Sequence, residues 1–459
     1  MRRWQHILHR WVNFYLTKVG TTRLIALMFL FIILAGTFLL MTPAAARDGV
    51  SCGFTPALFT ATSATCVTGL VLYDTWSQFS GFGQAVILCL IQIGGLGFMS
   101  AACLVFFSMG KKVSMKQRLI MAQAMSVEDV SQVVRLQKLV LRGSFTIEGI
   151  GAAILTLRFW PEFGFGKALK WGVFHSVSAF CNAGFDIVGS DYPGMSMIPF
   201  GTDPVVCLTL SALVIVGGLG FFVWEEVLRV RNFRKLSIYS KLVLIITGSL
   251  LVFGTAAYLV LEWDNPATIG NMPLPQKLLA AFFQSMTMRT AGFAGIDQAA
   301  LTEPAKMLSV LLMLVGGSSG STAGGMKTVT LLVMILFIWA RARGREQVTV
   351  FKRSIPNSQV LDAMTITVIM AALAVFGGLF ISVDSGFSVV DSLFEAASAI
   401  ATVGSSCAGS ANLGILSKYL IILYMYFGRV GVLTISMGFM MGNRVQERYR
   451  YAETKLLIG

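Results

Sequence analysis

Charge is the scarcest property of this chain. Only 13% of its 459 residues are Asp, Glu, Lys or Arg, against 55% hydrophobic ones, and the mean hydropathy is +0.74. That balance excludes a soluble globular domain and describes a polytopic membrane protein. Histidine is rarer still, and His6, His9 and His175 form no ligand cluster. The seven cysteines, Cys52, Cys66, Cys89, Cys103, Cys181, Cys207 and Cys407, include no CxxC pair and sit mostly in apolar runs. They read as small buried residues without metal ligation. With no nucleophile-and-base pair and no metal centre in view, an enzyme is not expected.

Acidic residues are the scarcer sign, 22 against 36 basic ones, for a formal net charge of +14. In a soluble chain that excess would point to nucleic acid. Here the basic residues gather in the N-terminal arm (Arg2, Arg3, Arg10, Lys18), within 111–142, 229–241 and 341–353, and after Arg444. These five segments recur at every second crossing, so all lie on one side of a membrane, which the positive-inside rule makes cytoplasmic. Both termini are therefore expected inside. The clusters serve topology and anionic membrane lipids, and no nucleic-acid partner is expected. The first apolar run, 24–41, is long enough to span and lacks a clear cleavage site, so it reads as a retained helix.

What the chain does have is repetition. Residues 59–69, FTATSATCVTG, recur in variant form at 174–184, 282–292 and 394–404. In each copy a Phe lies ten residues before a Gly, and the terminal glycines, Gly69, Gly184, Gly292 and Gly404, fall 115, 108 and 112 residues apart. Ser63, Ser178 and Ser398 occupy the same place in three copies, with Met286 in the third. A second glycine signal follows each: Gly94-Gly95-Leu96-Gly97, Gly217-Gly218-Leu219-Gly220, Gly316-Gly317-Ser318-Ser319 and Gly428-Arg429-Val430-Gly431. Two markers held in register over four repeats define an architecture.

The expected fold is an all-α integral membrane protein with four helix, pore-loop, helix repeats around a pseudo-fourfold central pore. Residues 1–20 mix basic and aromatic side chains and read as an interfacial cytoplasmic helix. Repeat 1 occupies 21–110, repeat 2 with its cytoplasmic connection 111–229, repeat 3 230–341, and repeat 4 with the cytoplasmic C-terminus 342–459. Eight spans are expected, near 24–41, 83–109, 139–159, 205–228, 242–261, 306–340, 360–381 and 415–441. Each Phe-to-Gly element has about eight weakly polar or apolar residues, a helix of roughly 12 Å, under half the hydrocarbon thickness. Irregular backbone at that depth must be surrounded by protein or line a watery path.

A cation leaving water needs its hydration oxygens replaced, and rings of backbone carbonyls can do so without burying charge. Glycine allows successive carbonyls to face one axis, and a short helix entering from outside aims its partly negative C-terminal end there. Gly69, Gly184, Gly292 and Gly404 suit this role, with Val67 and Thr68, Asn182 and Ala183, Thr290 and Ala291, and Thr402 and Val403 supplying further carbonyls for K+. At these residues, over nearly its whole length, the chain resembles the Trk/Ktr/HKT superfamily of potassium transporters. Lacking extra N-terminal spans, it is most similar to the membrane subunit of bacterial Ktr systems. In some plant members a Ser at the first filter Gly accompanies sodium permeation, so Gly69 implies potassium selectivity.

The run 306–340 is 35 residues, about 52 Å if helical, and its middle is Gly316, Gly317, Ser318, Ser319, Gly320, Ser321, Thr322, Ala323, Gly324 and Gly325. It reads as a helix interrupted by a loop. The stretch GSTAGGMKT imitates a phosphate-binding loop, but Met326 separates Gly325 from Lys327, and apolar spans stand where strand and helix belong. In the resembled family the matching loop lies beneath the filter and obstructs permeation, which implies a gate at 316–325. Arg429 stands where the other repeats have Gly95, Gly218 and Gly317. A charge deep in a span faces the interior or an aqueous path. The resemblance implies an electrostatic barrier in the pore; the alternative is a structural salt bridge to Glu148 or Glu395. Arg289, Asp391, Glu395, Asp186 and Asp297 read as solvated charge of an outer vestibule.

The resemblance further implies potassium uptake in the bacterial inner membrane, stimulated by sodium, by a homodimer docked on a cytosolic KtrA-type ring that binds ATP or ADP, since the chain has no nucleotide domain of its own. The alternatives are a Na+/K+-permeable member of the superfamily, or a secondary carrier with broken helices. A carrier predicts inverted repeats, whereas here each repeat begins and ends inside.

Overall fold

A computed structural model describes residues 21–97 and 133–431. The interfacial helix expected at 1–20, Cys103, the connection at 98–132 and the chain beyond Gly431 lie outside the described residues. Repeat 1 contains α1 (Thr21–Leu40), α2 (Phe54–Thr65) and α3 (Gly81–Leu96). Repeat 2 contains α4 (Val133–Phe163), α5 (Phe165–Phe180), α6 (Pro204–Leu219) and α7 (Phe221–Val230). Repeat 3 contains α8 (Ile238–Leu261), α9 (Leu274–Thr287), α10 (Glu303–Leu314) and α11 (Thr328–Ala342), and repeat 4 α12 (Asn357–Ser385), α13 (Val389–Ile400) and α14 (Ile415–Val430). The two-residue strands Thr349–Val350 and Arg353–Ser354 make a small hairpin between α11 and α12.

Local chemistry sets the helix starts. Ser80, Asp203, Ser237, Thr302 and Ser388 accept backbone N–H groups at the heads of α3, α6, α8, α10 and α13. Each satisfies an orphan donor of the first turn, and Pro204 follows Asp203 where its missing N–H costs nothing.

The first helix of every repeat is long and apolar enough to cross a membrane. The second is not the continuous span expected from sequence. A single break was anticipated, in repeat 3, yet every second helix stops at its glycine signal. α3 ends at Gly97 (φ 81°, ψ 144°) and α14 at Gly431 (φ 94°, ψ 122°), while α6 and α7 meet at 97° around Gly220 (φ 93°, ψ 140°). Those dihedrals are accessible to glycine and strained for other residues, so the triplets dictate the breaks. In repeat 3 the helix gives way to a longer loop, 315–327, which includes the expected 316–325.

α2, α5, α9 and α13 are the pore helices. They run 12 to 16 residues. At about 18–24 Å they are longer than the 12 Å expected yet still shorter than the hydrocarbon layer. In each repeat the helix begins before the Phe that marked the motif. Between repeats, the second helix of one packs on the pore helix of the next: α3 on α5, α6 on α9, α10 on α13, and α14 back on α2. Four such contacts close a ring, which is the pseudo-fourfold arrangement.

The third motif is shifted by one residue. Phe59 and Phe394 are fully buried and Phe174 nearly so, but in repeat 3 the buried ring is Phe283, not Phe282. Thr287 likewise supplies the hydroxyl that Met286 cannot. Phe283 and Thr287 keep the four-residue spacing of Phe59 and Ser63, so one helical face is preserved.

Candidate functional site

The four terminal glycines are neighbours in a closed ring. A Cβ on Gly69 would collide with the carbonyl oxygen of Ala183, one on Gly184 would lie 2.6 Å from that of Ala291, one on Gly292 would collide with that of Val403, and one on Gly404 with that of Thr68. Spatial order follows chain order and returns to its start. Gly69, Gly184, Gly292 and Gly404 all have positive φ, from 67° to 101°. Two residues earlier, Val67, Asn182, Thr290 and Thr402 are all left-handed, with φ of 57°, 60°, 61° and 54°. Four non-glycine residues in so sparsely populated a region at equivalent positions are strain held by the surroundings.

Backbone N–H groups are drawn back to the pore helices. Thr68, Ala183 and Val403 donate to the carbonyls of Ser63, Ser178 and Ser398, and Gly292 to that of Thr287, at 2.7 to 3.2 Å. Gly69 and Gly404 N–H donate to the Ser63 and Ser398 hydroxyls at 3.0 and 3.1 Å. Ser178 and Thr287 instead donate to the carbonyls of Phe185 and Phe293, both at 2.7 Å. Among the described residues no hydrogen bond ends on the carbonyls of Val67, Thr68, Asn182, Ala183, Thr290, Ala291, Thr402 or Val403. All eight residues are buried. Carbonyls left without donors, at the convergence of four helix C-termini, form a site of negative potential suited to a cation.

The second glycine signal explains how the pore helices are held. Gly94, Gly217 and Gly428 each lie where a Cβ would collide with the last carbonyl of their own pore helix, that of Thr65, Phe180 and Ile400 respectively. Only glycine permits this approach. In repeat 3, Gly316 instead packs against the Gly324 carbonyl within its own loop and 3.2 Å, from its Cβ position, from the Thr290 methyl.

The 315–327 loop sits against the segments that lead into Gly184 and Gly404. Gly324 abuts the Thr402 side chain, and Thr322 Oγ1 lies 3.0 Å from Asn182 Oδ1 and 3.1 Å from the Phe180 carbonyl. Gly218 and Gly217 carbonyls accept from the N–H groups of Ser318 and Thr322, the Gly320 carbonyl accepts from Phe221 N–H at the α6–α7 bend, and Gly316 N–H donates to Met326. Most of these partners are backbone groups; the side chains among them are the Thr322 hydroxyl and the Asn182 amide.

Arg429 crosses the space between this loop and repeat 1. Its guanidinium donates to the carbonyls of Thr322 and Gly94, and to that of Gly95 at 3.1 Å. The salt bridge considered from sequence is not formed among the described residues. Glu148 is bound by Gln92 Nε2, and Glu395 by Ser406 and the N–H groups of Cys407 and Ala408. Sequence reasoning also misplaced two vestibule charges. Arg289 is 9% exposed and Glu395 0%, the latter anchoring the loop beyond Gly404, while Asp391 pairs with Lys306 at 2.8 Å. Pore-helix position decided their burial, which composition does not reveal. Cys89, expected buried, is exposed, and His175 accepts the Ile187 N–H as a buried structural group.

The TrkH family, described as cation transport proteins, matches residues 16–446. The chain is 37% identical to the potassium/sodium uptake protein NtpJ of Enterococcus hirae over 96% of this chain and 98% of that one. It is 36% identical to the Ktr system potassium uptake protein B of Bacillus subtilis over 98% of each chain, and 37% identical to the protein of the same name from Vibrio alginolyticus over 96% of each. The crystal structure of the potassium transporter TrkH from Vibrio parahaemolyticus superposes with a TM-score of 0.70 at 17% identity, covering 91% of this chain and 84% of that one, which establishes the shared fold. With four repeats closed around a carbonyl-lined ring and a family match along nearly the whole sequence, this multi-pass membrane protein belongs to the TrkH family of cation transport proteins.

Proposed function

We propose that the chain is the ion-translocating subunit of a potassium uptake system, conducting K+ down its electrochemical gradient into the cell. The observation that carries this reading is the ring of Gly69, Gly184, Gly292 and Gly404, with the donor-free carbonyls of the residues before them. Such oxygens replace the hydration shell of a monovalent cation, and the helix C-termini favour its charge. The loop at 316–325 is the gate, and Arg429 is both its tether and an electrostatic barrier below the filter. No step of covalent chemistry is required.

Relatives named as Ktr system subunits support a separate cytosolic partner, a KtrA-type ring carrying ATP or ADP, beneath a homodimer of this chain. The setting is the bacterial inner membrane with both termini inside, and sodium stimulates uptake. The test is potassium uptake in a bacterial strain lacking its own uptake systems, run in parallel with sodium. Growth at low potassium is the expected result; a well-expressed protein that restores none would overturn the reading. A second reading, joint passage of Na+ and K+, is favoured by the name of the Enterococcus hirae relative. Sodium flux comparable to potassium flux in the same cells would select it.

A further inference from the structure

The gate loop and the filter are joined by one chain of side-chain hydrogen bonds. Thr290 Oγ1 donates to the carbonyl oxygen of Arg289 at 2.7 Å, so its oxygen is free only to accept. Asn182 Nδ2 donates to it at 3.4 Å, which turns Asn182 Oδ1 the other way, toward Thr322 Oγ1 at 3.0 Å. The Thr322 proton is shared with the Phe180 carbonyl at 3.1 Å, the last carbonyl of α5. Every side chain in this chain is at most 1% exposed, so none has water as an alternative partner.

The other filter segments have no such link among the described residues. Val67 has no polar side chain, and Thr402 Oγ1 lies against Gly324 without a hydrogen bond. Asn182 is thus the filter side chain that reads the loop, and it occupies a left-handed conformation that asparagine tolerates best among non-glycine residues.

We propose that Asn182 is a positioning residue that couples gate to filter: the closed loop, through Thr322, locks the Asn182 amide and through it Thr290, so ion selectivity depends on the state of the gate. Withdrawal of the loop removes the Thr322 donor, frees the amide to rotate and loosens two adjacent filter segments at once. The inference rests on the ring being the filter and the loop being the gate.

The test measures K+ flux and the K+/Na+ permeability ratio in proteoliposomes. Thr322→Val removes the donor while keeping the shape, and is expected to raise flux and lower the ratio by roughly fivefold, the effect of one neutral hydrogen bond. Thr322→Ser, which retains the hydroxyl, should keep both values. Thr290→Val severs the chain at its far end while keeping the methyl that faces Gly316, and decides the matter if Thr322→Val does not fold. Combined, the two substitutions should lower the ratio no further than one alone. An unchanged ratio in both variants, or strictly additive losses, overturns the coupling and leaves the filter and gate standing. A wild-type protein that does not discriminate K+ from Na+ overturns the filter reading itself.

Discussion

The Arg429 guanidinium donates to the carbonyl oxygen of Thr322, joining α14 of repeat 4 to the interrupted helix of repeat 3. The same side chain holds the Gly94 and Gly95 carbonyls of repeat 1, so three of the four repeats meet on one cation. Because its partners are carbonyls and not carboxylates, its charge is hydrogen-bonded but not neutralised. On the proposed conduction path, a cation leaving the ring of glycines would meet that charge together with the loop it holds.

Replacing Arg429 by Ala removes the barrier and the tether together. K+ flux in proteoliposomes is expected to rise about tenfold, equivalent to ~1.4 kcal/mol off the barrier. Arg429→Lys, which keeps the charge but not the fork of donors, should fall between. Flux at or below the wild-type value, in protein of normal yield, would refute the role.

Gly69→Ser tests the ring. A Cβ there collides with the Ala183 carbonyl oxygen, and φ of 99° is strained for serine. The first filter segment must shift away from the second, and K+/Na+ selectivity should drop by about tenfold or more, since ~1.4 kcal/mol of lost discrimination suffices. A permeability ratio unchanged from wild type would mean that Gly69 does not coordinate the ion.

Gly428→Ala tests the close approach of α14 to α13. The added methyl would overlap the Ile400 carbonyl and crowd the Thr402 methyl at 2.9 Å. Overpacking of this kind costs ~1–3 kcal/mol. A thermal midpoint several degrees below wild type is expected in detergent, whereas Gly248→Ala, where a Cβ meets nothing, should leave it in place.

Asp186 lies two residues beyond Gly184, outside the spans. Burial, reinforced by nearby Asp74, pushes its carboxyl up to about 6, although Ser196 and the Val188 N–H pull the other way. A raised acid is charged above that value and neutral below it, so its attraction for cations is present at pH 7.5 and lost by pH 5. Uptake at limiting K+ should decline through about pH 6, and Asp186→Asn should flatten that decline at the lower level. A variant retaining the full pH dependence assigns it to another group.

Much of this was legible because repetition exposes backbone requirements. Glycines such as Gly69 and Gly404 recur where only their dihedrals serve, and Gly94, Gly217 and Gly428 recur where only their lack of a Cβ serves. Less legible was the third repeat. Its motif aligns by spacing through Phe282 and Met286, but Phe283 and Thr287 do the packing, because a helix presents a face and not a count from a distant glycine. The breaks at Gly97, Gly220 and Gly431 were read as continuous spans because apolar composition does not record a positive φ.

The sequence by itself determined a membrane protein with four recurring Phe-to-Gly segments, an interrupted helix and the oddity of Arg429, since hydropathy, periodicity and glycine spacing are local properties. Only the tertiary structure decided that the four segments close in chain order, that Arg429 binds carbonyls instead of an acid, that Arg289 and Glu395 are buried, and that Asn182 bridges Thr322 and Thr290. Each of those depends on which groups from distant repeats meet, and partners separated by about a hundred residues leave no trace in local pattern.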